Sequence, residues 1–495
     1  MAMRAVVRRV SATKGSAMSQ KINLSDTFTY GKLLRFTLPS MVMMVFTSVY
    51  GVVDGFFISN FAGETPFAAV NFIMPFLMIL GTAGFMFGTG GSALIAKTMG
   101  EGERELANKY FSMFVYAALV IGGICAVLGL IFIRPMAVLL GAEGSLLEDS
   151  VLYGRIILLA LPAFTLQMAF QSFFVTAEKP TLGLVVNVLA GVLNMILDFL
   201  LVGVIPLGLV GAAVATGVSQ VVGVAVSLVY FASRNTSLLR LGKPYFGSRP
   251  FFKGCINGSS EFMSNIAMSA VGMLYNVQLL KYAGEYGVSA YGVLMYVSMI
   301  FNGIFIGYVV GYAPIVSYHY GAGNHKELRS LRRKSTVLIL IFSVAMFALS
   351  EALASPLSQL FVGYNDALLE MTKRGFVIYS FAFLFMGFAI FASSFFTALN
   401  DGLTSAVISF LRTLVFQVAA VMLMPLIWDI DGIWLSIVMS EVSAVLVSVA
   451  FLGGVAEEIS LLMGRCLQFD HEFGENCSTF MGKREYNLYI IYLWR

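Results

Sequence analysis

Long apolar runs, each closed by a short polar or glycine-rich turn, recur along the chain from residue 33 to residue 455. A helix needs roughly 20 predominantly apolar residues to cross a bilayer. Runs of that kind fall near 33–59, 66–96, 109–133, 151–177, 181–203, 206–232, 257–281, 287–316, 335–361, 374–398, 403–427 and 431–455. The pattern predicts an all-α membrane protein of twelve transmembrane helices. Pro39, Pro75, Pro162, Pro314 and Pro425 lie inside or at the edges of these runs. Membrane helices tolerate such breaks where neighbours satisfy the freed backbone groups.

Composition agrees with the pattern. The 495 residues are 58% hydrophobic and 12% charged, with a mean hydropathy of +0.85. A soluble domain would carry about twice that charge fraction. The net charge of +4 gives no argument for nucleic acid. The placement of the charge is more informative. With twelve spans, 25 Lys and Arg fall on the side of the two termini and five on the other, namely Arg134, Arg155, Lys281, Lys373 and Arg374. The positive-inside rule then places both termini in the cytoplasm, with the protein multi-pass in the cell's inner membrane. The implied organisation is a cytoplasmic tail at 1–32, spans one to six at 33–232, a basic cytoplasmic loop at 233–256, spans seven to twelve at 257–455, and a second cytoplasmic tail at 456–495. The first twenty residues hold Arg4, Arg8, Arg9 and Lys14 but no apolar core of signal-peptide length. The four cysteines form no C-x-x-C pair and the three histidines are scattered, so neither a disulfide framework nor a zinc site is expected.

The chain also reads twice. "GRIILLALPAFTLQMAFQSFFVTA" at 154–177 aligns with "GFVIYSFAFLFMGFAIFASSFFTA" at 375–398, an offset of 221. At that offset Gly63-Glu64 meets Gly284-Glu285, Gly100 and Gly102 meet Gly321 and Gly323, Gly211 meets Gly432, and Ser219-Gln220 meets Ser440-Glu441. A constant offset over six spans argues for two duplicated six-helix halves. Six is even, so the copies share one orientation. They should be pseudo-symmetric lobes around a central cavity, related by an axis along the membrane normal.

Ionisable residues inside the runs stand out, because each costs at least ~2.5–3.5 kcal/mol to place mid-membrane and usually faces a cavity or a partner. Asp54, Asp198, Glu261 and Glu441 qualify, and Glu351 lies nearer a span's end. Counted by helix rise from the outer face, Asp54 and Asp198 lie ~9–10 Å deep and Asn194 and Thr216 ~15 Å deep. Asn194 and Asp198 are four apart and share a helix face. Carboxylate, amide and hydroxyl oxygens suit Na⁺ or a shared proton. The same residues could instead be hydrogen-bonded structural polars. The 221-offset counterparts of Asn194 and Asp198 are Val415 and Ala419, so one half alone would hold the site.

At this point the chain resembles the multidrug and toxic compound extrusion (MATE) antiporters. The stretches that carry the resemblance are "YGVVDGFFISNFAG" (50–63), "FVTAEKP" (174–180), "LNMILD" (193–198), "LGLVGAAVATGVSQ" (207–220), "TALNDG" (397–402) and "SFLRTLVFQVAAVMLMP" (409–425), within a similarity over about 24–455. The resemblance implies twelve helices in two lobes. It implies a cation site at Asp54, Asn194, Asp198 and Thr216, and alternating access in which cation entry drives drug release outward. It also sets Glu261 in the pathway, as a substrate ligand or an interfacial acid.

Arg412 and Glu441, at ~14 and ~16 Å from the cytoplasmic face by helix rise, are expected to form a buried ion pair between spans eleven and twelve. The expected substrate is a small amphipathic organic cation, since 27 Met, 43 Phe and 21 Tyr supply adaptable apolar surface. Met273, Tyr275, Gln278 and Tyr291 are cavity candidates. "GTAGFMFGTGG" (81–91) lacks the lysine of a phosphate loop; Gly81, Gly84 and Gly88 form a packing stripe instead. No cofactor or nucleotide is therefore expected, and an ion gradient should power transport. The chain is expected to work as a monomer in membrane lipid. The rival readings are a flippase for a lipid-linked precursor, which would need a strongly basic cavity, and a non-transporting relic scaffold.

Overall fold

A computed structural model describes residues 22–473; the tail residues 1–21 and 474–495 lie outside the described residues. All regular structure among the described residues is helical. The spans are α1 Tyr30–Ala62, α2 Thr65–Gly100, α3 Arg104–Leu139, α4 Gly144–Thr176, α5 Pro180–Val204 and α6 Gly208–Ala232 in the first half. A short connector helix, α7, covers Ser248–Asn257. The second half holds α8 over 259–283, α9 Tyr286–Gly321, α10 His325–Val362, α11 Asp366–Ser380 with Phe383–Ala398, α12 Gly402–Leu423 and α13 Pro425–Gly453.

Local chemistry starts these helices where the turns were expected. Thr29, Asn324, Asn365 and Asp401 each accept, through a side-chain oxygen, a backbone N–H of the first turn, and Pro180 opens α5. Among the described residues ten helices are long and apolar enough to span, and α11, bent by 47°, makes an eleventh. The twelfth, α8, falls short on apolarity because it carries Glu261, Asn265 and Gln278. It passes into α9 through Gly284 at φ +61°, as α1 passes into α2 through Gly63 at φ +104°, the position 221 residues earlier. Both need the left-handed freedom of glycine. The loop read at 233–256 is not all loop, since its second part is α7.

Three apolar cores organise the molecule. One draws on both halves, packing Phe111, Phe173 and Phe231 together with Phe305, Tyr308 and Tyr312, and it includes Leu24, Leu239 and Leu328 from the side where the chain ends. The other two lie toward the far side and stay separate: Ile73, Ile133 and Tyr153 in the first half, Tyr275, Phe376 and Trp434 in the second. The apolar cores of the halves are thus shared on the termini side and separate on the far side.

The joint depends on glycine. Lipid gives helices little hydrophobic reason to associate, so close backbone approach and dispersion hold them. A Cβ added at Gly100 would lie 2.0 Å from Tyr318 O, and one at Gly321 would lie 2.0 Å from Lys97 O. These contacts are images of each other at the 221 offset. The same relation links Gly90 against Gly258 to Gly311 against Thr37. Within the first half, Gly81, Gly84 and Gly88 admit α4 at Phe164, Thr165 and Ala169.

A clasp crosses the same side ahead of α1. Leu24 N donates to Glu178 Oε1 (2.8 Å) in the α4–α5 turn, and Phe28 N donates to Glu327 Oε1 (2.9 Å) at the start of α10. Lys334 Nζ donates to Phe28 O, and His319 Nε2 sits 3.2 Å from Asp26 O. Asp26 also pairs with Lys32 at 2.8 Å. Burial opposes its charge, but Lys32 and the Asn23 amide outweigh burial and hold its carboxyl below the usual range. Residues 22–29 therefore tie one half to the other.

Candidate functional site

The site begins with two helices that widen just past an acid. In α1 the α-helix gives way to a π-helical turn at Ile58–Ala62, four residues after Asp54. In α5 it gives way at Phe199–Val204, directly after Asp198. The two wide turns pack on each other. Such turns are rare and concentrate at functional positions.

The structure brings the Asp54 and Asp198 carboxyls close enough to act on one another electrostatically. Asp198 is fully buried. Beside it, Asn194 Nδ2 donates to Thr216 Oγ1 of α6 at 3.5 Å. All four residues read from the sequence therefore lie together, on α1, α5 and α6. A fifth was not read: the Tyr153 hydroxyl from α4, fully buried and within electrostatic range of both acids. A tyrosine in an apolar run gives no sequence signal of such a role.

Asp198, Asn194 and Asn187 occupy one face of α5, with Gly191 between them leaving room for the rings of Phe46 and Tyr50. Asn187 Nδ2 donates to Thr47 Oγ1 (2.8 Å), fixing α5 against α1 about two to three turns below the acids.

Among the described residues, both Asp198 oxygens, Asp54 Oδ1, Asn194 Oδ1 and the Tyr153 hydroxyl are buried without a hydrogen-bond partner. Buried polar atoms are normally paired, and two adjacent carboxylates repel unless something positive lies between them. Five orphaned oxygens, four of them pure acceptors when the acids are ionised, form a hard-ligand set that fits a small monovalent cation or a shared proton.

The second half resolves its charges internally. Arg412 lies in a π-helical turn of α12, Leu411–Val415, and its Nε and Nη2 grip Glu441 of α13 at 2.9–3.1 Å. Glu441 is fully buried. Glu261, at the start of α8, lies within electrostatic range of Arg412. Arg412→Ala should cost about 3–5 kcal/mol of stability by stranding Glu441, read as a lower melting temperature in detergent. Arg412→Met combined with Glu441→Leu should recover most of it.

Tyr275 and Tyr291 stack at 5.3 Å inside the second-half core, Tyr275 bonded to Ser436 (2.8 Å), and Gln278 Nε2 donates to Met422 Sδ. Met273 is exposed. Glu351 accepts from Ser380 Oγ within the second half and joins neither charged cluster.

The MatE family profile matches this chain twice, over residues 39–200 and 262–423. This chain belongs to the MatE family. The two matches fall one in each half, in keeping with the internal repeat. Among proteins similar to this MatE chain is the multidrug export protein MepA of Staphylococcus saprophyticus, 25% identical over 365 residues, covering 72% of this chain and 80% of the relative. MepA of Staphylococcus haemolyticus is 25% identical over 378 residues, covering 74% and 82%. In fold, the chain superimposes on a MATE crystal structure in complex with MaL6 with a TM-score of 0.83 at 22% identity, covering 90% of this chain and all of the other. It superimposes on an outward-facing multidrug resistance MATE transporter with a TM-score of 0.82 at 22% identity, covering 91% of this chain and all of that one. This MatE chain is a multi-pass efflux transporter with the twelve-helix, two-lobe architecture of its family.

Proposed function

We propose that the chain is a cation-coupled antiporter that exports amphipathic, mostly cationic organic compounds by alternating access, with Na⁺ or H⁺ as coupling ion. One observation carries the reading: the facing Asp54 and Asp198 carboxyls, buried with orphaned oxygens, in a protein whose relatives are named for multidrug export. The termini side is cytoplasmic in this reading. The shared core, the glycine crossings and the clasp then seal the cytoplasmic side, and in this reading a substrate cleft opens outward between the two separate far-side cores.

An external cation enters beside Asp54 and Asp198 and cancels their repulsion, with Asn194, Thr216 and Tyr153 as further oxygen donors. The π-helical turns that follow both acids supply slack for α1 and α5 to tighten around it. That movement alters the first-half wall of the cleft and lowers substrate affinity, so the drug leaves outward. On the facing wall, Glu261 meets the positive end of the substrate, Met273 offers its exposed thioether, and Tyr275, Gln278 and Tyr291 support that wall from within. The whole path lies in one chain, so the monomer suffices. Ethidium efflux from proteoliposomes, measured with sodium and proton gradients imposed separately, tests the reading. At least one inward cation gradient must drive efflux, and efflux indifferent to both would reject it.

A further inference from the structure

The connector between the halves carries a surface that transport leaves unused. Its first part runs along the start of α3: Arg240 N donates to Asn108 Oδ1 (2.7 Å), Gly242 N to Ser112 Oγ (2.9 Å) and Tyr245 N to Lys109 O (3.2 Å). α7 then lies against the helices. Phe251 stacks near Phe87 and Phe114, with ring centroids 5.9 and 6.2 Å apart, and Asn257 Nδ2 donates to Thr397 O at 2.9 Å. The inner face of the connector is therefore fixed to both halves.

Its outer face is apolar and basic together. Arg249, Phe252 and Ile256 fall on one side of α7 at spacings of three and four, all exposed, with Phe252 at 61%. Just ahead, Phe246 is 93% exposed, beside exposed Lys243. Residues 233–260 contain no Asp or Glu. The level of this face is set by Phe114, on which α7 rests. Two residues later, at Tyr116, α3 exposes its first large apolar side chain, and Leu119 and Val120 follow. α7 thus lies where the lipid-facing surface begins, the depth at which acyl chains give way to headgroups. Rings and an aliphatic side chain directed outward at that depth, flanked by cations within an acid-free connector, match an amphipathic helix seated in an anionic interface, with Glu101 and Glu103 reaching only its Tyr245 end through Tyr110.

We propose that residues 243–256 form a docking surface for acidic phospholipids of the termini-side leaflet. Phe246, Phe252 and Ile256 enter the acyl boundary, and Lys243 and Arg249 meet the phosphates. The inference needs the membrane placement of the helices and is independent of cation coupling.

Phe246→Trp in the full chain places a fluorophore on this surface, read against the unmodified protein to subtract the native tryptophans. Reconstitution in phosphatidylcholine vesicles containing either brominated phosphatidylglycerol or brominated phosphatidylcholine measures which lipid reaches the new indole. Quenching should favour the brominated phosphatidylglycerol. Adding Lys243→Gln or Arg249→Gln should each reduce that preference by about fivefold. Equal quenching by the two lipids, unchanged by the charge substitutions, would reduce the surface to ordinary lipid contact and overturn the proposal. Quenching by aqueous iodide, with none from either lipid, would place it in water, open to a soluble partner, and would also overturn it. Soluble glycerol phosphate should not reverse the phosphatidylglycerol quenching; if it does, the site takes a free anion rather than a lipid.

Discussion

Asp198→Asn should abolish gradient-driven efflux while making the protein harder to unfold. At ~4 Å and an effective dielectric near 20, each carboxylate contributes about 4 kcal/mol of attraction to a monovalent cation. Removing one of two therefore weakens coupling-ion binding by about a thousandfold, and Asp54→Asn should match it. Stability should move the opposite way, because the substitution replaces a buried acid with two unpaired oxygens by a neutral amide. A purely structural Asp198 would show the reverse, with a lowered melting temperature and efflux largely kept. Vesicle efflux and thermal unfolding of the same samples separate the two, and wild-type efflux by the double variant would eliminate the coupling role.

The second large effect comes from a single methyl group. Gly100→Ala places a Cβ where Tyr318 O already stands, and Gly321→Ala does the same against Lys97 O. Backbone on both sides cannot yield as a side-chain end could, so the termini-side joint must part. Overpacking of this kind costs about 1–3 kcal/mol, which moves the balance between closed and open termini-side states by roughly fivefold to 150-fold. Either variant should shift spin-label distances across the α2–α9 ends toward the parted state and slow efflux, and the two should resemble each other because the contacts are symmetric images. Gly123→Ala, on α3 with open space around it, is the control and should behave as wild type.

Much of this architecture could be read before any coordinates. Hydropathy located all the spans but α8 outright, because hydrocarbon forces each crossing to be a long apolar helix, and the 221-residue offset, which sets α8 opposite α1, revealed the duplication. The cluster of Asp54, Asn194, Asp198 and Thr216 was legible for a similar reason: helix rise converts sequence position into depth, and polar side chains at one depth must find each other or water. What stayed hidden depends on rotation and on neighbours. Nothing about Tyr153 separates it from other apolar-run aromatics until the fold places its buried hydroxyl within electrostatic range of the acids. The π-helical turns after both acids follow from packing rather than composition, so no residue type marks them. Arg412 and Glu441 were legible as a pair by depth; the nearness of Glu261 was not, because it joins helices far apart in sequence that no spacing relates. The helix at Ser248–Asn257 was missed because it is too short and polar to read as a span and opens on a proline-containing basic loop.

The two halves began as copies and now treat charge differently: the first keeps an unbalanced acidic pair, and the second neutralises its acid with an arginine of its own. Two first halves joined in tandem would keep the crossing glycines and the apolar joint, yet would bury four carboxylates and no guanidinium. Such a molecule would demand counter-ions on both sides of the cleft merely to insert. Divergence after duplication has therefore left one half with buried acids that no arginine answers and one half whose buried acid is held by an ion pair, and on the proposed mechanism the first is the part that changes charge while the second stays as the reference.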